Sequence, residues 1–520
     1  MDAGINRPKP NIVYILADDM GYGDLSCYNK NSMIPTRYLD KLAAQGMRFT
    51  DAHAPASLCT PTRYGVLTGR YCWRSSLKNG VLWGYSPPLI EEGRMTVASL
   101  LRSAGYHTAA VGKWHLGWDW ARRLPGSGGV AGAGGGAGSG AEKVMDPIAD
   151  TGGDIDPRAG HEAVDFTRPI RNGPLAVGFD WFYGIPASLD MPPYCYVEND
   201  MVTAPVEEMV EESPWEAFWR EGPIARSFRH VDVLPHLTEK AVAYIRERAR
   251  EQTAAAGGGA GEAAGAQPFF LYFALPAPHT PVVPAPEYKN CSCAGDYGDF
   301  CVQVDDVVGQ VLQAIEEGGI EQNTLVIFTS DNGPERTAYQ RAQQYGHYSM
   351  GEWRGLKRDT WEGGHRVPFL AKWPGVIAPG STSNQVICLT DLLATAAEIV
   401  GVKIPDNAGE DSLSILPAFA GKPLEATQRA AVIYQGASGT LAIRRGDWVY
   451  IDAPSGDENK EPEWLKEKRG YLPHNQPGEL YRLSSDPTQA RNLYKEQHGV
   501  VVSMKTLLNR YINEGRSVIR

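Results

Sequence analysis

Asn11-Ile12-Val13-Tyr14-Ile15-Leu16-Ala17-Asp18-Asp19-Met20-Gly21 is the stretch that decides the fold. Residues 12–17 are apolar without alternation, which predicts a strand buried on both faces, and the carboxylates begin where that strand should stop. The same pattern recurs at 324–329, which runs into Ser330-Asp331-Asn332-Gly333, and at 267–275, which runs into Pro276-Ala277-Pro278-His279. A shorter strand at 108–111 leads into Gly112-Lys113-Trp114-His115-Leu116-Gly117. Helical patterns at 35–45, 96–104, 235–248 and 297–317 separate these strands. Alternating strands and helices predict a largely parallel α/β sheet, whose ligands gather at the carboxyl ends of the strands.

The length of 520 residues exceeds the roughly 250 to 300 at which one hydrophobic core stops growing, so a large and a small domain are expected. The texture changes after Pro405, with short strands at 430–434, 440–444, 448–451 and 479–483 and a helix at 501–512. We expect a catalytic α/β domain over 1–425 and a C-terminal α+β subdomain over 426–520, an antiparallel sheet with one helix packed on it. Stretches 125–141 and 253–266 are dominated by Gly and Ala and are read as exposed loops, because they cannot bury enough apolar surface to offset ordering entropy.

A net charge of -11 argues against nucleic-acid binding, which needs a basic footprint, so an anionic substrate would require a local basic pocket. No apolar run approaches the roughly 20 residues of a membrane span. No apolar signal segment precedes the first strand. The expectation is therefore a periplasmic or secreted protein if a leader precedes this sequence, and a cytoplasmic one otherwise. Of the eight cysteines, Cys291, Cys293 and Cys301 cluster without a nearby fourth ligand, a weak zinc pattern.

Asp18, Asp19, Asp331 and Asn332 offer oxygen donors only, which suit a hard cation, calcium or magnesium, rather than zinc. Asp-Asp or Asp-Asn before Gly also serves as a helix cap or Asx turn. Lys113 and His115 are two apart, so an extended segment would project a cation and a base from one face. His279 lies between two prolines, and Lys357 precedes Trp361-Glu362-Gly363-Gly364-His365-Arg366-Val367-Pro368.

Leu58-Cys59-Thr60-Pro61-Thr62-Arg63 resembles the signature of the type I sulfatases. Asp18-Asp19, Gly-Lys-Trp-His, Pro-His-Thr-Pro, Ser-Asp-Asn-Gly and Lys357 with its Trp-Glu-Gly-Gly follow that family's order, from about residue 10 to about residue 494. The resemblance implies an alkaline-phosphatase-like sandwich and conversion of Cys59 to formylglycine by a formylglycine-generating or anaerobic sulfatase-maturating enzyme. It implies calcium bound by Asp18, Asp19, formylglycine 59, Asp331 and Asn332, with Arg63 beside them. One hydroxyl of the hydrated aldehyde would attack sulfur while His279 and Lys357 protonate the leaving oxygen. His115, with Lys113 as charge clamp, would then take the second hydroxyl's proton and release sulfate. The alternatives implied are a phosphonate or phosphodiester hydrolase of the same superfamily and an unmatured carbohydrate-binding pseudoenzyme. The segments holding Asp165, Arg168, Asp190 and Tyr194 look like those of galacto-type 6-sulfatases, so the expected substrate is a saccharide carrying galactose or N-acetylgalactosamine 6-sulfate.

Overall fold

The structure, a computed structural model, describes residues 8–123, 163–214, 217–257, 267–425 and 427–519. The strand Asn11–Ala17 is buried along its whole length, as an unbroken apolar run requires. It lies inside a ten-stranded sheet ordered Ser381–Ser383, Met47–Phe49, Phe369–Lys372, Thr324–Ser330, Asn11–Ala17, Phe269–Ala274, His107–Lys113, Trp181–Ile185, Val197–Glu198, Met201–Val202. The five strands from Thr324–Ser330 to Trp181–Ile185 are mutually parallel, and Phe369–Lys372 and Val197–Glu198 run against them. Helices Arg37–Gln45, Gly295–Glu317 and Val233–Gly257 pack together as one group, and Cys59–Thr68, Val97–Ser103 and Leu392–Val400 as another.

Register puts the chemistry in one place. Ala17 pairs with Ser330, Leu16 with Ala274, Ala274 with Gly112 and Gly112 with Gly184, so these parallel strands end level with one another. Asp18, Asp331, Lys113 and the segment leading to His279 therefore leave the same edge of the sheet.

A second sheet is antiparallel in chain order, Val432–Gln435, Leu441–Arg445, Trp448–Ile451 and Glu479–Arg482. Helix His498–Glu514 buries Val501, Met504, Leu507, Leu508 and Tyr511. Tyr71, Trp361 and Cys388, from outside this segment, join its core. Among the described residues no helix is long and apolar enough to cross a membrane.

One expectation is corrected. Residues 253–257 complete helix Val233–Gly257 instead of forming a loop, because alanines extend an existing helix at one hydrogen bond per ordered residue. Residues 258–266 and 125–141 lie outside the described residues.

Candidate active site

Cys59 opens helix Cys59–Thr68, every residue of which is buried. Arg63 sits four residues on, so both side chains occupy one helical face. Arg63 donates from Nε and Nη2 to Asp331 Oδ2 at 3.1 and 2.8 Å, and from Nη1 to the Lys113 carbonyl at 3.1 Å. Its Nη2 also lies 3.5 Å from Asp18 Oδ1. Ligand atoms of Asp18, Cys59 and Asp331 fall within 4.8 Å of one another, as do those of Asp18, Asp19 and His279.

Each strand-end carboxylate has one oxygen beside a cation. Lys113 Nζ donates to Asp18 Oδ2 at 2.7 Å and Lys357 Nζ to Asp19 Oδ2 at 2.8 Å, while Arg63 holds Asp331 Oδ2. Asn332 Nδ2 donates to Asp19 Oδ1 at 2.8 Å, and Asp331 Oδ1 accepts the Asp19 N–H at 3.2 Å. Asp18 Oδ1 and Asn332 Oδ1 remain buried without hydrogen-bond partners among the described residues. Orphaned buried oxygens are costly. A set of three carboxylates and one amide oxygen with two such atoms fits a hard divalent cation. Asp19 turns inward because its backbone is left-handed, φ 66°, and Gly333 follows because a Cβ there would meet the Gly363 carbonyl oxygen at 1.9 Å.

The electrostatics separate the two facing carboxyls. Burial alone would raise Asp18, but Lys113, then His279 and Arg63, hold it well below the usual carboxylate range. Burial and then Asp18 push Asp331 up to about 7, against the pull of Arg63. Three carboxylates face the three cations Arg63, Lys113 and Lys357, so a divalent ion would leave a positive basin for an anion.

His115 is placed by a turn. The strand ends at Lys113 and His115 has φ 54°, so the expected extended alternation does not hold; the left-handed residue is what aims the ring. Its Nε2 bonds the Leu82 carbonyl oxygen at 2.7 Å, and its Nδ1 has no partner among the described residues. Burial, then Lys113 and Arg63, push its pKa well below the ordinary imidazole value. His279 lies between two cis peptide bonds, with Nδ1 2.5 Å from the Thr280 carbonyl oxygen and Nε2 3.7 Å from Asp19 Oδ2. Burial would lower Lys357, but Asp19 raises it above the ordinary lysine value.

Sequence reading missed the supports. Arg358 pairs with Glu335 at 2.7 and 2.9 Å behind Lys357. A buried network joins Asp51, His53, Glu362, His365, Arg366 and Arg444: Arg366 Nη2 is 2.6 Å from Glu362 Oε2, and Arg444 Nη1 is 2.6 Å from Asp51 Oδ1. His53 Nε2 is also 2.6 Å from Asp51 Oδ1, and the facing Nδ1 atoms of His53 and His365 are 3.0 Å apart.

The expected sugar-binding residues fall into two groups. Asp165 Oδ1 accepts from the Thr167 N–H and hydroxyl at 3.0 and 2.6 Å, bracing its own turn, and Arg168 is exposed. Asp190 is buried against Arg220, and the Tyr194 hydroxyl donates to the Arg220 carbonyl at 2.7 Å. Cys291 and Cys293 are exposed while Cys301 is buried, and among the described residues none of them joins a metal-capable group.

Fold and site together define an α/β protein whose strand ends gather oxygen ligands and cations suited to a metal ion and an anion. Comparison with known proteins sharpens that class: residues 10–402 match the sulfatase family, and the chain belongs to it as a sulfuric ester hydrolase. The N-acetylgalactosamine-6-O-sulfatase of Bacteroides thetaiotaomicron is 32% identical, over 98% of this chain and 94% of that protein. Human arylsulfatase A is 31% identical, over 94% of this chain and 84% of its own. A sulfatase structure from glycosaminoglycan metabolism by Bacteroides thetaiotaomicron superposes with TM-score 0.75 at 30% identity, covering 97% of this chain and 99% of that one.

Proposed function

We propose that this protein hydrolyses sulfate esters on a saccharide, with galactose or N-acetylgalactosamine 6-sulfate as the substrate unit. The observation that carries the reaction is Cys59 buried at the meeting of Asp18, Asp331, Lys113 and Lys357. The sugar assignment is supported by relatives named as N-acetylgalactosamine 6-sulfatases. After conversion of Cys59 by a maturating enzyme, formylglycine supplies a hydrated aldehyde as nucleophile, and calcium held by Asp18, Asp19, Asp331 and Asn332 supplies a Lewis acid.

The side chains divide the remaining work. Lys113 and Arg63 fix the carboxylates and add positive charge for the sulfate oxygens. His279 has Nδ1 committed to a carbonyl, so Nε2 is the atom that delivers a proton to the leaving oxygen. The resemblance gives Lys357 a share in protonating that oxygen, but Asp19 raises its pKa above the ordinary lysine value, so we assign it the role of a positive charge beside the oxygen and leave the proton to His279. His115 has Nε2–H committed to Leu82 and is held neutral by burial, which leaves the Nδ1 lone pair as the base.

Peptide mass spectrometry across Cys59 tests maturation, with an aldehyde mass expected. A panel of sulfated sugars assayed for free sulfate tests the substrate, and a preference for 4-sulfate, 2-sulfate or N-sulfate refutes the 6-sulfate assignment.

A further inference from the structure

Lys357 owes its place to a strained turn. The residue after it, Arg358, is left-handed with φ 85°, a conformation that residues other than glycine rarely adopt and that surrounding contacts must enforce. One set of contacts comes from the segments that carry the site. The Lys357 N–H donates to the Pro334 carbonyl at 3.0 Å, shortly after Asp331, and the Arg358 N–H donates to the Ser57 carbonyl at 2.8 Å, shortly before Cys59.

The other set comes from the second sheet. In the loop joining its first two strands, the Ala437 N–H donates to the Arg358 carbonyl at 3.0 Å. From the loop after its third strand, Asn459 Nδ2 donates to the Lys357 carbonyl at 2.7 Å and the Glu458 N–H to Asp359 Oδ1 at 2.7 Å, while the Gly456 carbonyl accepts the Thr360 N–H at 3.0 Å. These two loops are tied to each other, because the Glu458 carboxylate accepts the Ser438 N–H at 2.9 Å and the Ser438 hydroxyl at 2.8 Å. Asn459 is itself fixed by its N–H, which donates to Asp457 Oδ1 at 3.0 Å.

The turn also settles a competition for the ammonium. Glu335 Oε2 lies 3.9 Å from Lys357 Nζ, but Arg358 holds the two Glu335 oxygens at 2.7 and 2.9 Å, which leaves Nζ to Asp19 at 2.8 Å. Relaxing Arg358 out of its left-handed turn would free Glu335 to draw Lys357 away from the site.

We propose that Asn459 is a positioning residue for the reaction: by holding the Lys357 carbonyl it locks the turn at Arg358 and keeps the ammonium beside the leaving oxygen. The second sheet is then part of the scaffold of the active site, reaching it through the main chain of Lys357. The proposal rests on the sulfatase reading of the Cys59 site and on the charge role given there to Lys357.

The test uses the matured enzyme and a series of sulfate esters with progressively poorer leaving groups, from nitrophenyl sulfate through phenyl sulfate to galactose 6-sulfate. Asn459→Ala removes the donor, and Asn459→Asp keeps the shape while putting an oxygen in its place. Each variant should lower kcat/KM for the poorer leaving groups about tenfold or more and for nitrophenyl sulfate less, because a displaced charge is missed most where most negative charge collects on the leaving oxygen. Lys357→Ala should show the same trend, and adding Asn459→Ala to it should bring no further loss, since a residue that acts through Lys357 has nothing left to hold. Nitrophenyl sulfate turnover and cooperative thermal unfolding report that the variants fold. Losses of equal size along the series, no loss in either Asn459 variant, or a full further loss on the Lys357→Ala background overturns the proposal and leaves Asn459 as a loop brace, with the sulfatase reading standing. A flat profile in Lys357→Ala overturns the charge role and this proposal with it. A parent enzyme with an aldehyde at residue 59 that releases sulfate from none of the esters overturns the sulfatase reading itself.

Discussion

Glu362→Gln should destabilise the protein by about 3 kcal/mol at neutral pH. Glu362 is fully buried, with Oε2 accepting from Arg366 Nε at 2.9 Å and lying 3.8 Å from Arg444 Nη1. Burial alone would raise its carboxyl; Arg366, then His53 and Arg444, hold it at about 2 instead of 4.5. That depression equals about 3 kcal/mol of folded-state preference for the ionised form. Glutamine keeps the shape and leaves two guanidiniums facing only Asp51. A depressed acid stabilises the fold above its unfolded pKa and loses that contribution as pH falls through the folded value. The gap between parent and variant should therefore be full at pH 7.5, begin to narrow below 4.5, and close near pH 2. Urea unfolding followed by tryptophan fluorescence at a series of pH values measures it. Equal midpoints at pH 7.5, or a gap indifferent to acid, would refute the reasoning.

Three further outcomes probe the chemistry. Cys59→Ala should abolish sulfate release while thermal unfolding stays cooperative, since the proposed mechanism derives its nucleophile from that thiol; wild-type turnover in the variant sinks the mechanism. Asp331→Ala should lose bound calcium and any calcium-dependent rise in Tm together, and stoichiometric metal remaining in the variant would mean the site lies elsewhere. His279→Ala should slow sugar sulfates by about 10² or more and nitrophenyl sulfate far less, because a good leaving group needs little protonation; equal losses reduce His279 to a binding role.

The fold was legible because its central strands are unambiguous. Asn11–Ala17 and Thr324–Ser330 are buried at every position, so no helical or half-exposed reading competes with them. Boundaries were less secure where composition misled, as at residues 253–257, since Gly and Ala together suggest a loop while the alanines alone extend a helix. The small sheet was found within a residue or two at each strand, its short apolar runs being punctuated by Gly and Asp. Its shared core with Tyr71, Trp361 and Cys388 had no local signal, because those contacts join positions far apart in sequence.

The site divides in the same way. Asp18 and Asp331 directly follow recognisable strands, Lys113 closes one and His279 lies five residues beyond another, and parallel register brings those strand ends together without further information. Cys59 and Arg63 are linked in the sequence only by the family resemblance; that they stand one turn apart on helix Cys59–Thr68 emerges from the structure, since no helical pattern is expected there. What could not be read was anything that works through a main-chain carbonyl or a distant side chain. Every residue offers a carbonyl, so nothing in Leu82 announces that its oxygen will fix the His115 tautomer and free Nδ1. Arg220 lies thirty residues beyond Asp190 among ordinary surface-like charges, and only the return of the chain past Pro192 brings its guanidinium onto Asp190 and Trp83. The candidate oxygen ligands thus follow from local geometry at strand ends and Cys59 from the family resemblance, whereas the tautomer of His115 and the approach of Arg220 to Asp190 follow from tertiary contacts.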